Sequence, residues 1–266
     1  MKNIVLDTDI GTDVDDAIAL MLCLKSKNLS LKAITTIVHN SKKRAMIAKK
    51  LTKIVNQELP VAFGYDYDPK WYVGFEGNGL LDEKDNFEFE KDPVSLISSK
   101  IKKYKDVSLI CIGPLGNIAD VIDAGAKISH IYFMGEVIES NGKFIPNLDC
   151  HNVKLDPYSA ETVFNSNIPI TVLTKEVAKK VCLNKKDFEN IKKLKTSWSD
   201  YIYQNVMDWL KVSQYDVSYM YDPLTVAIAE DKSLFKTKKL GNIEISTDVD
   251  VEGFKKYLFN ALEVKK

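Results

Sequence analysis

Residues 3–40, NIVLDTDIGTDVDDAIALMLCLKSKNLSLKAITTIVHN, determine the fold class. The first run, NIVLDT, is apolar and rich in β-branched residues, which predicts a buried strand. Residues 13 to about 27 then repeat apolar side chains at helical spacing, and LKAITTIV returns to a strand pattern. A strand, a helix and a second strand in this order predict two parallel strands joined by a crossover helix.

The same alternation continues over the first two thirds of the chain. Further strands are predicted at PVAFG, VSLICI, HIYFMGE and PITVLT, and further helices at residues 42–55 and 115–124. This pattern favours an α/β fold with a mainly parallel, Rossmann-like open sheet flanked by helices. The chain has 266 residues, 45% of them hydrophobic, and shows no break in composition, so we expect one domain over residues 1–266.

The charge balance and the lack of targeting signals narrow the class of partner. The chain has 37 basic and 37 acidic side chains, so no global positive field would recruit nucleic acid or an anionic membrane surface. The segment MKNIVLDTD does not resemble a signal peptide, and no apolar run is long enough for a membrane span. We therefore expect a cytoplasmic protein that binds a small molecule. Cys23, Cys111 and Cys182 are interpreted as small core residues, because the cysteine spacing fits neither a zinc site nor a disulfide framework.

Polar residues follow the predicted strands where each strand ends. Asp7 and Asp9 close the first strand, and Asn40 follows the second. Glu136 ends HIYFMGE, the fifth predicted strand. Because ligands of open parallel sheets bind beyond the carboxyl ends of the strands, these residues predict a site at that edge. Residues 65–92 are rich in Gly, Asp and aromatic residues and predict a long loop above it.

The segment DTDIGTDVDDAIAL carries five carboxylates within ten residues, namely Asp7, Asp9, Asp13, Asp15 and Asp16. Carboxylates this close raise one another's pKa unless a cation compensates them, and an all-oxygen cluster suits Ca²⁺ or Mg²⁺. The alternative is that these acidic residues only stabilise the N-terminus of the following helix. For Asp13 this is the preferred interpretation. It does not explain Asp7 and Asp9 at the end of an apolar strand.

The same segment resembles the N-terminal signature of the inosine/uridine-preferring nucleoside hydrolases, DxDPGxDDAxA, with two extra residues before the paired acids. Further matches follow in the family's order over nearly the whole chain, in AITTIVHN, CIGPLGNIA, HIYFMGE, NVKLDPYSAETVF, YDPLTVAIAEDKSLF and DVDVEGFKKYLFNAL. The chain is therefore identified as a member of this family. The resemblance implies a nucleoside hydrolase-like fold and hydrolysis of the N-glycosidic bond of ribonucleosides to nucleobase and ribose.

The resemblance also implies a Ca²⁺ site and roles for individual residues. Asp9 would be the catalytic base that activates the attacking water and would also bind Ca²⁺. The other Ca²⁺ ligands would be Asp16, Asp222 and the main-chain carbonyl of Ile112. Family members form dimers or tetramers, so a homo-oligomer is expected as well. The residues implied in substrate binding are Asp15 on the ribose hydroxyls, together with Asn40, Met134, Asn152 and Tyr221.

Three positions depart from the family pattern. Tyr221 stands where members of defined specificity carry a His that assists the leaving base, and a phenol with an ordinary pKa of about 10 is a poor acid. Cys150 replaces a Glu that contacts the 5′-hydroxyl, and Glu76 replaces a His in the loop after the third strand. The metal and ribose-diol half is unchanged, so hydrolysis is expected while the preferred base and 5′ group stay open. Candidates to compensate for the lost Glu are Asp149, His151 and Glu136.

Other histidines and aromatic residues allow two interpretations each. His39 is compatible both with facing the site and with packing, whereas His130 opens a buried strand and is interpreted as structural. For Trp209, helix packing is favoured over stacking on a nucleobase. Other candidates for stacking are Trp71, Tyr72, Tyr215 and Tyr219.

Parts of the sequence are also compatible with functions other than hydrolysis. DTDIGT is similar to the DxDGT loop of haloacid-dehalogenase phosphatases, but there the Gly follows the second Asp directly, and here Ile10 intervenes. A non-catalytic nucleoside- or Ca²⁺-binding relative would explain the departures, although the retained Asp9 argues against it. An EF-hand does not fit, because neither DTDIGTDVDD nor DVDVEG is followed by the required Glu, and DVDVEG is interpreted as a strand-to-helix turn.

Overall fold

The computed structural model describes residues 1–67 and 74–263, and in those residues eight strands form one sheet. The strands in chain order are β1 (Lys2–Thr8), β2 (Leu29–Thr36), β3 (Val61–Phe63), β4 (Val107–Cys111), β5 (His130–Gly135), β6 (Val137–Ser140), β7 (Lys143–Pro146), β8 (Ile170–Thr174), β9 (Cys182–Asn184), β10 (Val217–Tyr219), β11 (Phe235–Leu240) and β12 (Ile243–Val249). The large sheet has the order β11-β12-β8-β5-β4-β1-β2-β3, and all of its pairs are parallel except β11 with β12. The predicted mainly parallel sheet is confirmed.

Helices cover both faces of the sheet, as predicted. They are α1 (Asp15–Lys25), α2 (Ser41–Ile54), α3 (Pro93–Tyr104), α4 (Gly116–Asp123), α5 (His151–Leu155), α6 (Pro157–Phe164), α7 (Lys175–Ala178), α8 (Lys185–Lys192), α9 (Ser197–Ser213), α10 (Tyr221–Glu230) and α11 (Val251–Ala261). Alternate residues of β1 supply two apolar cores, with Ile4 and Leu6 on the face of α1 and α10 and Val5 on the face of α3 and α4. That the whole chain forms one domain stays a prediction.

Helix α1 is buried on almost all sides. Residues 15–24 are all buried, because α1 packs against α10 and α11 as well as against the sheet. An apolar run without a polar face is what such a central helix requires. The two acidic residues at its start, Asp15 and Asp16, are therefore held inside the protein rather than in solvent.

The sheet reverses its strand order beside β1. Strands β2 and β3 extend from one side of β1, and β4, β5 and β8 extend from the other. In open parallel sheets, a crevice forms beyond the carboxyl ends of the strands at such a switch point. The loops after β1, β4, β5 and β8 all open onto this edge.

The rest of the chain was less well predicted. The hairpin β6-β7, the pair β9-β10 and the antiparallel edge strand β11 were not anticipated. The turn at DVDVEG is confirmed, since β12 ends at Val249 and the Asp250 side chain caps α11. The predicted loop at 65–92 contains no helix or strand in its described parts, 65–67 and 74–92. No helix among the described residues combines the length and apolarity needed to cross a bilayer.

Candidate active site

The loop between β1 and α1 carries most of the acidic residues and is held in a conformation that needs glycine. Gly11 has a φ of 129°, and a Cβ atom there would lie 2.8 Å from Ile47 Cδ1 and 3.3 Å from Glu76. A side chain at this position would therefore collide with α2 and with the loop after β3. The tight turn brings Asp9 at the end of β1 next to Asp13 ahead of α1.

Arg44 fixes this acidic loop from α2. Its guanidinium is buried and donates hydrogen bonds to the main-chain oxygens of Asp9 and Ile10, the latter at 3.0 Å, and to Thr12 Oγ1 at 3.1 Å. Its Nε atom donates to the carbonyl of His39 at 3.0 Å. Arg44 is not among the residues predicted for the site, although it is the only arginine in the chain. A single arginine in a chain that otherwise uses lysine indicates a position where one side chain must form several hydrogen bonds at once.

Three buried carboxylates converge from α1 and α10. Oxygen atoms of Asp15, Asp16 and Asp222 all lie within 4.8 Å of one another. The main-chain N–H of Asp222 donates to Asp15 Oδ2 at 3.1 Å, and the Thr8 hydroxyl donates to Asp16 Oδ1. Burial raises the pKa of each of the three well above its ordinary value, and the charge of neighbouring aspartates raises it further. Two of the predicted metal ligands, Asp16 and Asp222, are thus brought together.

Asp9 lies beside this group but outside its tightest part. Burial raises its pKa, whereas the charges of Arg44 and His151 lower it. Its negative charge in turn raises the pKa of Asp16 and Asp222. Asp13 has a pKa raised to about 7 by burial, and its carboxylate accepts from the N–H of Val14 at 2.7 Å. Val14 is the N-cap residue of α1, which has no side-chain cap, and Asp13 lines the cavity, so the helix N-terminal role preferred for Asp13 stays a prediction.

The donor set fits a hard divalent cation. Asp15, Asp16 and Asp222 are less than a tenth exposed, and no basic side chain among the described residues hydrogen bonds to any of them. Buried carboxylates ionise only when positive charge compensates them. A group of carboxylate oxygens at this spacing is the ligand type that Ca²⁺ and Mg²⁺ bind.

Asp7 does not belong to this group, contrary to its inclusion in the acidic cluster of the sequence. It lies inside β1 and is 1% exposed. Its Oδ1 accepts hydrogen bonds from Thr35 Oγ1 and, at 2.7 Å, from Asn117 Nδ2. Burial raises its pKa to about 7. The Asp7 side chain points from the strand into the protein. Asp9, two residues later, lies beyond the end of the strand and lines the cavity.

Asn152 joins the ends of two strands below the carboxylates. Its Nδ2 donates to the carbonyl of Ile112 and to the carbonyl of Met134, each at 3.1 Å. Ile112 follows β4 and Met134 lies in β5, so the amide bridges neighbouring loops of the sheet edge. The predicted metal carbonyl and two predicted substrate residues thereby form one hydrogen-bonded unit.

These residues line a cavity of about 640 Å³ at the carboxyl edge of the sheet. The cavity contains every residue predicted for the site except Asn40. Asn40 precedes α2 in a left-handed conformation with φ 57°, and its neighbour two positions earlier, Val38, reaches the cavity instead. The lining residues from the prediction are Asp9, Asp15, Asp16, Ile112, Met134, Asn152, Tyr221 and Asp222.

An aromatic wall closes another side of the cavity. Trp209, Val212 and Tyr215 come from α9 and its end, and Tyr221 begins α10. The expectation that Trp209 serves helix packing is wrong, because its side chain is half-buried and lines the cavity. Burial raises the pKa of the Tyr221 phenol, and the charge of Asp15 raises it further. Tyr221 is therefore a hydrogen-bond donor rather than a proton source near neutral pH.

Other residues singled out in the sequence have different positions. Glu76 is buried beneath the acidic loop and accepts from Thr12 Oγ1 at 3.0 Å, so it does not line the cavity. His130 bonds to Thr171 across β5 and β8 at 2.9 Å, which confirms its structural role. Cys182 is half-buried in β9, so its assignment to the core is wrong. Trp71 and Tyr72 lie outside the described residues.

Comparison with known proteins identifies the family. The model of the inosine-uridine preferring nucleoside hydrolase family matches residues 4–256. The chain belongs to this family. The family match overrides the phosphatase interpretation of DTDIGT, because it accounts for the sequence from β1 to α11.

Several relatives agree with this assignment. A pyrimidine-specific ribonucleoside hydrolase of Photobacterium profundum is 27% identical, with 88% of this chain and 81% of that protein aligned. Uridine nucleosidase 1 of Arabidopsis thaliana is 26% identical, with 92% and 79% aligned. A solved purine-preferring ribonucleoside hydrolase from Gardnerella vaginalis has a TM-score of 0.83 over 98% of both chains at 22% identity. The last comparison shows that the fold is shared.

Proposed function

We propose that this chain hydrolyses the N-glycosidic bond of ribonucleosides in the cavity at the carboxyl edge of its sheet. The observation that carries the proposal is the group of buried carboxylates Asp15, Asp16 and Asp222 at that cavity, on a chain of the nucleoside hydrolase family. The named relatives include enzymes specific for pyrimidine ribonucleosides and for uridine. All of these relatives are named for hydrolysis of ribonucleosides, but the nucleobase in their names differs. The base preference of this chain is therefore left to experiment.

The proposed metal is Ca²⁺, held by Asp9, Asp16, Asp222 and the main-chain carbonyl of Ile112. All four line the cavity, and among the described residues no basic side chain hydrogen bonds to the carboxylates of Asp16 and Asp222. An all-oxygen set that mixes carboxylates with a carbonyl is typical of Ca²⁺ sites. When bound, such a cation supplies positive charge that keeps the carboxylates ionised and acidifies a water molecule beside it.

Asp9 is proposed as the base that takes the proton of the attacking water. Its carboxylate lines the cavity beside Asp16 and Asp222, so it is suited to accept the proton of a water molecule that attacks from this side. The water oxygen forms a bond to C1′ while the bond from C1′ to the base nitrogen breaks, and the electron pair leaves with the nucleobase. The sugar acquires oxocarbenium character on this path, as in inverting glycoside hydrolysis. The departing base is protonated as or after it leaves.

The ribose is proposed to bind between Asp15 and Asn152. The Asp15 carboxylate is suited to accept hydrogen bonds from the vicinal hydroxyls, and Asn152 is fixed beside it by its two carbonyl partners. Met134 completes this part of the site, and Asn40 is proposed as a residue at its edge. Tyr221 and the aromatic wall, with Trp209 and Tyr215, then face the nucleobase.

The test is ribose release from uridine, cytidine, inosine, adenosine and guanosine in Ca²⁺, in excess chelator, and after Ca²⁺ is restored. We expect at least one nucleoside to be hydrolysed, loss of that activity in chelator, and recovery on restoring Ca²⁺. No ribose from any nucleoside, with Ca²⁺ binding demonstrated by calorimetry, would favour a non-catalytic relative instead. Light scattering on the same sample tests the homo-oligomer that family membership leads us to propose.

A further inference from the structure

The wall of the cavity formed by β5, α5 and β8 differs from the rest in charge. Every carboxylate that lines the cavity comes from residues 9–16 or from α10. The remaining wall contributes Cys150, His151 and Lys175 and no acid. Lys175 directly follows β8, three strands from β1, so its backbone lies about 14 Å from that of Asp9 along the sheet edge. The cavity thus has an acidic side and a basic side.

Lys175 has no counter-ion in the described part of the chain. Its side chain is half-buried, lines the cavity, and forms neither an ion pair nor a hydrogen bond with any described residue. Other half-buried lysines of the described chain, such as Lys49 and Lys100, also lack a partner, but they do not line this cavity, whereas some of that class are paired. Lys50, for example, binds Asp85 at 2.8 Å. A half-buried ammonium that faces a cavity without a partner is a position where a ligand anion would gain a charge-assisted hydrogen bond.

Cys150 explains why the charge of Lys175 is not compensated. The thiol is buried beside Lys175, whose charge acts on it, and burial raises the thiol pKa so that it stays neutral. The resemblance to the family leads one to expect a Glu at this position, where it would pair with an ammonium and repel a phosphate. With a neutral thiol there, Lys175 and His151 are the basic side chains of this wall.

The three walls of the cavity match the three parts of a ribonucleoside. If Asp15 holds the vicinal hydroxyls and the aromatic wall faces the base, then C5′, which lies across the sugar ring from those hydroxyls, points toward Cys150 and Lys175. An unmodified 5′-hydroxyl would leave the ammonium without an anionic partner. A phosphate on that oxygen would supply one.

We propose that the preferred substrate is a ribonucleoside 5′-monophosphate whose phosphate binds Lys175, with His151 at its other side. This inference rests on the proposed N-glycosidic hydrolysis and names its substrate class. The reaction is balanced in the same way as for the unphosphorylated compound, because the phosphate ester is untouched and the products are nucleobase and ribose 5-phosphate.

A second cavity limits the length of the phosphate chain. This cavity, of about 400 Å³, shares Lys175 with the first and is lined also by Glu136, Asp149 and Glu176. Glu136 is half-buried and accepts from the N–H of Val137 at 3.3 Å. Lys179 lines this cavity as well, so three acids face one further ammonium at the exit from Lys175, and the excess of negative charge would repel a second phosphate. The expected order of substrates is therefore monophosphate first, with the diphosphate disfavoured.

The experiment compares uridine with uridine 5′-monophosphate, and inosine with inosine 5′-monophosphate, in Ca²⁺. We expect kcat/KM to be at least tenfold higher for the monophosphate, and Lys175→Met to lower the ratio of the two kcat/KM values at least tenfold. Lys179→Met is the matched control, since Lys179 belongs to the same turn of chain but lines only the second cavity, and it should leave the ratio unchanged. Hydrolysis of the nucleoside at equal or higher efficiency than the monophosphate would overturn the inference and leave the proposed function intact.

Binding provides a readout that does not depend on turnover. Calorimetry of Ca²⁺-loaded protein should give a Kd for ribose 5-phosphate at least tenfold below that for ribose, and Lys175→Met should abolish the difference. Equal Kd values in the wild type would contradict the phosphate site. Tight binding of ribose 5-phosphate without hydrolysis of any nucleoside or nucleotide would support the site and reject the proposed function.

Discussion

The side-chain amide of Asn152 donates a hydrogen bond to the main-chain oxygen of Ile112, with an N–O distance of 3.1 Å. The same nitrogen donates to the carbonyl of Met134 at 3.1 Å. One side chain thus fixes the carbonyl proposed to bind the metal and ties together the loop after β4 and the end of β5. Asn152 is accordingly a positioning residue for the metal site as well as a proposed ribose contact.

Asn152→Ala should weaken both the fold and the site. Loss of the two hydrogen bonds leaves buried carbonyls without a donor, so we expect the free energy of unfolding to fall by about 1–3 kcal/mol. Chemical denaturation measures this change, and calorimetry should show weaker Ca²⁺ binding. The matched control is Asn242→Ala, because Asn242 Nδ2 bonds to the carbonyl of Ile168 at 2.8 Å outside the cavity. If both variants bind Ca²⁺ as tightly as the wild type, Asn152 does not position the site.

Arg44→Lys tests whether the guanidinium geometry holds the acidic loop. Lysine keeps the charge but cannot bond at once to the oxygens of Ile10, Thr12 and His39. We expect a loss of about 2–4 kcal/mol in the free energy of unfolding, together with reduced Ca²⁺ affinity. Lys42→Arg on the same helix serves as the exposed exchange control. An Arg44→Lys variant with unchanged stability and Ca²⁺ affinity would show that charge is sufficient.

The stability of metal-free protein should decrease as the pH rises from 7 to 8. Asp7 and Asp13 have pKa values raised from 3.8 to about 7, and those of Asp15, Asp16 and Asp222 lie well above the ordinary value. The folded state therefore binds more protons than the unfolded state above about pH 4, and this stabilisation is lost as the pH rises through the folded pKa values. Burial lowers the pKa of His130 to about 4, and this shift makes the stability increase with pH. It does so only below pH about 6.5, the ordinary pKa of a histidine, so it does not affect the range from 7 to 8.

Melting temperatures in chelator and in excess Ca²⁺ measure this dependence. In chelator the melting temperature should be higher at pH 7 than at pH 8, and Asp16→Asn should raise it at pH 8. In Ca²⁺ the direction should reverse, because protons compete with the cation for the same carboxylates. If the melting temperature changes equally between pH 7 and pH 8 with and without Ca²⁺, these residues do not bind the metal.

How far the sequence predicted this molecule depends on the range of the contacts involved. Strands β1, β2, β4, β5 and β8 have strong apolar runs, so periodicity located them and the carboxyl edge of the sheet. The hairpin β6-β7 was missed, although Asn141 and Gly142, with φ of 50° and 72°, form an Asn-Gly turn of the kind that joins such strands. Strand β11, FKTKKL, has no apolar run because it is the exposed edge of the sheet.

The site was predicted where family motifs carried it and missed where tertiary contacts decide it. The resemblance supplied Asp9, Asp16 and Asp222, and those residues do meet at one cavity. Nothing local in the sequence pairs Lys175 with Cys150, because the two are joined only by the adjacency of β5 and β8. Trp209 was assigned to packing because a helical period cannot tell whether one side of a helix faces the core or a cavity.

Tyr221→His should change the preference among nucleobases. Tyr221 is half-buried in the aromatic wall, and burial raises the pKa of its phenol, so it can donate a hydrogen bond but not a proton near neutral pH. An imidazole can do both, and we expect it to increase turnover of the bases that most need protonation on leaving. The kcat values for inosine and uridine, compared with those of Tyr221→Phe and Tyr219→His, measure the effect. An unchanged ratio of the two kcat values would remove Tyr221 from the base site.

The most direct test of the central claim is hydrolysis of p-nitrophenyl riboside by Ca²⁺-loaded wild type and Asp9→Asn. Nitrophenolate leaves without protonation, so the rate depends on water activation and sugar binding and not on the base site. We predict release of nitrophenolate by the wild type and a rate lower by about 10³-fold or more in Asp9→Asn, since base and metal ligand are altered together. A rate in Asp9→Asn within tenfold of the wild type, with Ca²⁺ bound to both, would contradict the account.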